Sequence, residues 1–208
     1  MIYDVSMPIR EGMPVYAGNP PFQRVITHVL GKDGCPVNQS RFEMGAHCGT
    51  HVDAPLHFEK EGSTVEAIPP ETLVGPARLF HFPKRDCIDL GDLENLDLQG
   101  AERVLFRTRN SDHWAAGGEF DPNFVYLTGE AAQFLVERKV RLVGIDSLGI
   151  EKFGHPTHPA HHALLQAGVT IVEGLYLVEV PPGDYTFFCG VLRIVGAEGA
   201  PARAFLAT

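Results

Sequence analysis

The sequence has few of the features that mark a nucleic-acid-binding or membrane protein. Among its 208 residues, 17 are Lys or Arg and 26 are Asp or Glu, which gives a formal net charge of -9. Nucleic acids and anionic membranes are bound by basic surfaces, so this balance argues against both partners. No apolar run approaches the roughly 20 residues of a membrane span. Residues 1–10 lack the basic start and apolar stretch of a secretory signal, so we expect a cytoplasmic protein.

Cysteine is also scarce, and its spacing excludes two further classes of protein. No CxxC pair occurs, which argues against a zinc finger, and the wide spacing does not resemble a dense disulfide framework. We therefore expect free thiols at all four positions, which are Cys35, Cys48, Cys87 and Cys189. The glycine-rich phosphate-binding motifs GxGxxG and GxxxxGK[ST] are absent, so nothing indicates a nucleotide.

Short apolar segments bounded by turn residues recur along the chain and predict strands. The segment Thr128–Arg138 predicts a helix with Thr128 as its N-cap, and Pro159–Gly168 predicts a second helix that begins at proline and ends at glycine. The predicted strands are Phe22–Val29, Ala77–Phe82, Arg103–Thr108, Lys139–Ile145, Val169–Val180 and Tyr185–Ile194. This order favours a mixed, β-rich α/β fold, and the length favours a single domain over residues 1–208.

Metal-binding and proton-transferring side chains are concentrated between residues 47 and 57. Four of them fall on odd positions: His47, His51, Asp53 and His57. Alternate side chains of an extended chain point to the same side, so we expect these four on one face of a strand. Gly49 would leave room for a metal or substrate to approach the backbone. Pro55 is expected to bend the segment before its last histidine.

This row of side chains indicates a metal site or a catalytic site. Imidazole and carboxylate ligands suit Zn²⁺ or Mn²⁺, and the absence of a thiolate from this face argues against a closed structural zinc site. The alternative is a polar strand whose histidines are hydrogen-bonded or solvated. A single histidine would favour that alternative. Three histidines and an aspartate within eleven residues favour metal binding or catalysis.

A second group of histidines lies around the start of the predicted helix Pro159–Gly168. Its members are His155, His158, His161 and His162. Glu173 follows within an apolar strand, where an unpaired charge would cost several kcal/mol, so it requires a partner. That partner is either a cation shared with Asp53, or an arginine such as Arg107 or Arg193. Periodicity does not choose among the four histidines.

The first motif is similar to one in the cyclase-like metal-dependent hydrolases, which include bacterial kynurenine formamidase and isatin hydrolase. Its pattern, His-x-Gly-Thr-His-x-Asp-x-Pro-x-His, runs without a gap from His47 to His57. Other segments resemble the family's substrate loop, central strand, second ligand group and C-terminal signature. In that order they are Pro14–Tyr16, Leu142–Ser147, His161–Leu165 with Glu173–Leu175, and Gly196–Ala204.

The resemblance implies a swivelling β/β/α-type fold, a homodimer or higher homo-oligomer, and two Zn²⁺ per subunit, with Mn²⁺ as the alternative metal. It also implies roles for individual residues. His47 and His51 would bind one metal, His161 would bind the other, and Asp53 and Glu173 would bind both. His57 would be the general acid/base. Tyr16 would contact the substrate, where the formamidases typically have Trp.

The activity implied by the resemblance is hydrolysis of a small aromatic amide. We expect an arylformamidase that converts N-formylkynurenine to kynurenine and formate by a metal-activated water. Hydrolysis of isatin, or of another cyclic amide or lactone, on the same site is the alternative. A third hypothesis is a non-catalytic metal-binding protein. His57 separates it from the others, because a structural metal site needs no additional base beside its ligands.

Overall fold

The computed structural model describes residues 1–98 and 100–208, which form twelve strands and five α-helices. The strands are β1 (Ile2–Asp4), β2 (Gln23–His28), β3 (Gln39–Glu43), β4 (His51–Asp53), β5 (Val74–Phe82), β6 (Cys87–Ile88), β7 (Arg103–Thr108), β8 (Tyr126–Leu127), β9 (Leu142–Ile145), β10 (Thr170–Glu173), β11 (Gly183–Val191) and β12 (Gly199–Ala207). The helices are α1 (Pro70–Leu73), α2 (Leu90–Glu94), α3 (Arg109–Ala115), α4 (Gly129–Glu137) and α5 (Pro159–Gln166).

Eight strands form one sheet that closes on itself. Its order is β1-β12-β11-β5-β7-β9-β10-β4, and β4 pairs with β12 as well as with β10. Strands β5, β7, β9 and β10 run parallel to one another, whereas the pairings that involve β4, β11 and β12 are antiparallel. The closure makes a barrel-like sheet in which the short strand β4 is held from both sides.

Alternate residues of the central strands enter two different apolar cores, as the period of two requires. Phe106 and Ile171 belong to the core that is covered by α2, α4 and α5. Leu105 and Val172 belong to the core on the other face of the sheet. The helix-covered face is therefore the side of the sheet on which α5 can meet the ends of β4 and β10.

The mixed, β-rich α/β fold is confirmed, and the helix predictions are accurate to within two residues at each end. Helix α4 begins after Thr128, whose Oγ1 accepts a hydrogen bond from the amide of Ala131 at 3.3 Å. Helix α5 begins at Pro159, as predicted. No helix in the part of the chain that the structure describes is long and apolar enough to cross a membrane. All four cysteines are free thiols, as expected.

Three segments differ from the prediction. The predicted strand Val169–Val180 ends at Glu173, where Gly174 adopts a φ of +66°. The segment Phe22–Val29 does form β2, but β2 pairs only with β3 in a separate two-stranded sheet whose strand residues are mostly exposed. The extended row predicted for residues 47–57 is wrong except at β4, because a turn precedes this strand and a 3-10 helix follows it.

Candidate metal centre

Strands β4 and β10 place three of the predicted side chains together. His51 lies opposite Glu173 in the antiparallel ladder, and Asp53 lies two residues farther along the same face. Nε2 of His51 is 3.2 Å from Oε2 of Glu173 and 3.4 Å from Oδ1 of Asp53. All three side chains are buried. The alternation predicted for this segment is thus accurate at its centre.

The turn before β4 brings His47 to the same place. Gly49 has a φ of +64°, a conformation that glycine adopts without strain, and it allows the chain to reverse before the strand. Nδ1 of His47 lies 2.8 Å from Oδ1 of Asp53 as a result. The prediction that Gly49 makes room for a ligand is wrong, because a Cβ there would instead lie 3.2 Å from the Cε of Met13.

The 3-10 helix Pro55–His57 carries His57 back over the site. Its ring stacks on the ring of His47, with centroids 4.0 Å apart and an interplanar angle of 28°. Burial lowers the pKa of His57, and the nearby charges of His47 and His161 lower it further, against the opposing effect of Asp53. The ring is therefore neutral at pH 7 and available to accept a proton.

Helix α5 supplies His161 from the covered face of the sheet. Nε2 of His161 is 3.5 Å from Oε1 of Glu173 and 3.9 Å from Oδ2 of Asp53. The ring of Phe58 stacks on it, with centroids 4.2 Å apart. The next residue, His162, is directed elsewhere, and its Nδ1 lies 2.6 Å from Oε1 of Glu59. The structure thus places His161 in the cluster and His162 outside it, a choice that periodicity does not make.

Glu173 has no arginine partner of the kind considered from the sequence. It accepts a hydrogen bond from the amide of Ile150 at 2.5 Å, and its other close partners are His51 and His161. Arg107 instead donates to the carbonyl oxygen of Val180, at 3.0 Å. The arginine alternative is therefore wrong, and the histidines provide the charge compensation.

The charges of the cluster explain its protonation. Burial lowers the pKa of His51 and of His161, but hydrogen bonds and charges of the facing carboxylates outweigh it and raise both pKa values to about 9. Burial raises the pKa of Glu173, yet the two imidazoles bring it well below its usual range. The net pKa of Asp53 is lowered as well, mainly by the hydrogen bond from His47 against burial and Glu173. These carboxylates therefore require positive charge close to them.

The donor set fits a divalent cation. Nε2 of His47, Nε2 of His51 and Oδ2 of Asp53 are buried and lack a hydrogen bond of good geometry. The ligand atoms of His51, Asp53 and Glu173 all lie within 4.8 Å of one another, as do those of His47, Asp53 and His57. None of the described residues that line the cavity is Lys or Arg. Imidazole nitrogen and carboxylate oxygen are ligands that Zn²⁺ and Mn²⁺ share.

The cluster lines a cavity of about 210 Å³. Tyr16 forms part of its wall, and the Tyr16 ring contacts those of Phe120 and Phe153 at centroid distances of 5.3 and 5.5 Å. Trp114 is not a wall residue, because its indole is buried and donates to the carbonyl oxygen of Asp146 at 2.6 Å. An apolar wall facing a polar cluster is the arrangement typical of a site for a small organic ligand.

Six other residues that line this cavity were not assigned roles from the sequence: Asn19, Phe58, Leu148, Gly149, Glu151 and His158. Of these residues, Glu151, which is buried, has a feature in the sequence that could have indicated its role. It follows the apolar segment Leu148–Ile150, and a carboxylate in such a setting requires a partner, as argued for Glu173. Phe58 and Asn19 carry no chemical signal that distinguishes them from ordinary wall residues.

Comparisons with known proteins agree with this geometry. The Cyclase family model, described as "Putative cyclase", matches residues 3–152. A kynurenine formamidase of Geobacillus thermodenitrificans (strain NG80-2) is 36% identical over 203 residues, which cover 98% of this chain and 95% of the relative.

Solved structures are similar over nearly the whole chain. A predicted metal-dependent hydrolase from Bacillus stearothermophilus has a TM-score of 0.86 and 42% identity, with 99% of this chain and 97% of the other covered. Isatin hydrolase A from Labrenzia aggregata has a TM-score of 0.85 at 24% identity, covering 99% of this chain and 93% of its own, which shows the same fold. The chain belongs to the cyclase family.

Proposed function

We propose that this protein is a metal-dependent amidohydrolase that acts on an aryl formamide, converting N-formylkynurenine to kynurenine and formate. The observation that carries the proposal is the cluster of the half-buried His47 with the buried His51, Asp53, His161 and Glu173, beside which His57 is stacked. The kynurenine formamidase relatives, 34 to 36% identical over nearly the full chain, support the choice of substrate.

We propose the following roles for these residues. His47 and His51 would hold one divalent cation, His161 would hold a second, and Asp53 and Glu173 would contribute to both positions. Asp53 is suited to bridging, because its two oxygens face different histidines, Oδ1 toward His47 and Oδ2 toward His161. We propose Zn²⁺, two ions per subunit, with Mn²⁺ as the alternative.

A divalent cation bound there would lower the pKa of a bound water and polarise the carbonyl of the amide. His57 accepts a proton from the attacking water as the water oxygen bonds to the carbonyl carbon, since the His57 ring is neutral at pH 7. It then returns that proton to the amine nitrogen, which leaves as the C–N bond breaks. Tyr16 contacts the aromatic ring of the substrate, and the Tyr16 ring is itself held by contacts with Phe120 and Phe153 behind it. Each of these steps uses a side chain that lines or backs the cavity.

A panel of substrates tests the proposed activity. We expect the metal-loaded protein to hydrolyse N-formylkynurenine with a kcat/KM at least about tenfold above its values for isatin and for simple aryl esters. The preference for N-formylkynurenine follows from the kynurenine formamidase relatives, and the cavity places the rings of Tyr16 and Phe58 beside the polar cluster. An equal or higher kcat/KM for isatin would contradict the formamidase proposal and support hydrolysis of cyclic amides as the activity. Lack of turnover of every member would contradict the hydrolase.

We also propose that residues 1–208 act as one domain in a homodimer or higher homo-oligomer in the cytoplasm. The free cysteines support a reducing compartment. The hairpin β2–β3 supports self-association, because Ile26 and Phe42 are each 59% exposed on it and a two-stranded hairpin is marginally stable alone. Light scattering coupled to size exclusion should give a mass of at least twice 22.8 kDa. A monomeric mass would contradict this assembly.

A further inference from the structure

Glu151 joins the start of helix α5 to the side chain of His161. Its side chain is buried, and Oε2 accepts hydrogen bonds from the amide of Ala160 at 2.8 Å and from that of His161 at 3.3 Å. Those two amides belong to the first turn of the helix, which has no partner for them within itself. The same oxygen lies 3.6 Å from Nδ1 of His161, a separation that a small rotation of the imidazole closes to a hydrogen bond.

The helix relies on this distant carboxylate because the side chain of its own cap residue does not accept from the amides of the first turn. His158 occupies the N-cap position in the left-handed region, at a φ of +41°, and makes no side-chain cap hydrogen bond. Glu151 comes from the loop after β9, so it ties that loop to α5. The amide of the preceding residue, Ile150, donates to Glu173, so the loop contacts two members of the proposed metal centre.

An ionised carboxylate can only accept hydrogen bonds. Facing Nδ1 of His161, it keeps a proton on Nδ1, so that Nε2 is the nitrogen that gives up its proton and offers its lone pair when a cation binds. Nε2 is the atom that lies 3.5 Å from Oε1 of Glu173 and 3.9 Å from Oδ2 of Asp53. Carboxylates that accept from the remote nitrogen of a ligating histidine fix its ring and raise its basicity.

We propose that Glu151 is a positioning residue that orients His161, through Nδ1 and through the first turn of α5, so that Nε2 is presented to a divalent cation. The proposal rests on the metal centre described under the proposed function. Glu151 itself is not assigned as a ligand. Glu151 raises the affinity for metal at the position that His161 would bind. It does not change the number of ions that bind.

Substitution Glu151→Gln separates the effect of the Glu151 charge on His161 from its hydrogen bonds to the helix. A glutamine oxygen still accepts from the two helix amides, but the charge is lost. We expect the affinity for Zn²⁺, measured by competition with a chromophoric chelator, to fall about 10- to 100-fold for one of the two bound ions, the one that His161 would hold. The number of bound ions at saturating Zn²⁺ should stay the same. The Tm of the chelator-treated protein should change by only a few degrees, about as expected for losing one charge at a helix terminus.

The matched control is Glu59→Gln. Glu59 pairs with His162, the neighbour of His161 on the same helix, but neither residue lines the cavity. This variant should bind Zn²⁺ with unchanged affinity. If Glu151→Gln does not fold, Glu151→Asp keeps the charge and withdraws it by one methylene, and a Zn²⁺ affinity below that of the unsubstituted protein is then expected.

Unchanged Zn²⁺ affinity of the folded Glu151 variant would overturn the proposal while leaving the metal centre intact. Loss of one whole equivalent of Zn²⁺ at saturation would also overturn it, because Glu151 would then be a ligand. Failure of the unsubstituted protein to bind Zn²⁺ or Mn²⁺ would instead contradict the metal centre and this inference together, so the two failures are distinguishable.

Discussion

Replacing Asp53 by alanine should remove bound metal from both positions and lower kcat/KM by roughly 10³-fold or more. Asp53 is fully buried between His47, His51 and His161, and its two oxygens face different histidines. A divalent cation contributes several kcal/mol to stabilising the transition state of hydrolysis, which corresponds to a loss of this size when it is absent. Elemental analysis of the purified variant, alongside turnover of N-formylkynurenine, measures both effects.

Two further variants make this result specific. Asp53→Asn keeps the shape of the side chain but removes its charge, so it should lose metal almost as completely as the alanine variant. Asp92→Ala is the matched control, since Asp92 is a buried aspartate that completes the capping box of helix α2 and pairs with Arg85, and neither residue lines the cavity. It should lower Tm without changing metal content. Retention of two equivalents of metal by Asp53→Ala would contradict the bridging role.

The parts of the site that follow from local periodicity were predictable from the sequence. His51 and Asp53 share a face because they are two residues apart in a strand, and Glu173 belongs to an apolar segment that has to be a buried strand. Their meeting depends on the register in which Glu173 lies opposite His51. No local pattern specifies that register. The cost of burying an unpaired carboxylate predicts that Glu173 has a partner, but it does not predict where that partner lies in the sheet. This cost depends on the loss of hydration and is the same for any register.

Other features depend on contacts between distant parts of the chain and could not be predicted from one sequence. His47 reaches Asp53 through a turn that packs against residue 174, where a Cβ would lie only 2.3 Å from the carbonyl oxygen of Gly49. The pairing of β4 with β12 joins segments about 150 residues apart. The sequence predicts no strand at β12, where it shows only the resemblance to the family's C-terminal signature. The helix α3 (Arg109–Ala115) was not predicted either, because it is short and polar.

The clearest test of chemistry, as opposed to metal binding, is His57→Ala. This variant should keep the full complement of metal and lose about 10²- to 10⁴-fold in kcat, the range that a positioned general acid/base contributes. His57 stacks on His47 and lines the cavity, while the other histidines of the cluster face the carboxylates directly. Removal of its ring therefore takes away the proton acceptor and leaves the five proposed ligands in place. Metal content and single-turnover rates measure the two consequences separately.

His158→Asn provides the matched control for this loss. His158 is the other histidine of the cavity wall that is not a proposed ligand, and asparagine tolerates its left-handed backbone conformation. The electrostatic partners of His158 are histidines of its own segment and Glu151, whereas those of His57 include Asp53 and Glu173. We therefore expect His158→Asn to keep kcat within about tenfold while His57→Ala loses it. Turnover that persists in His57→Ala would remove its role as the base, and loss of a metal equivalent in that variant would make His57 a ligand.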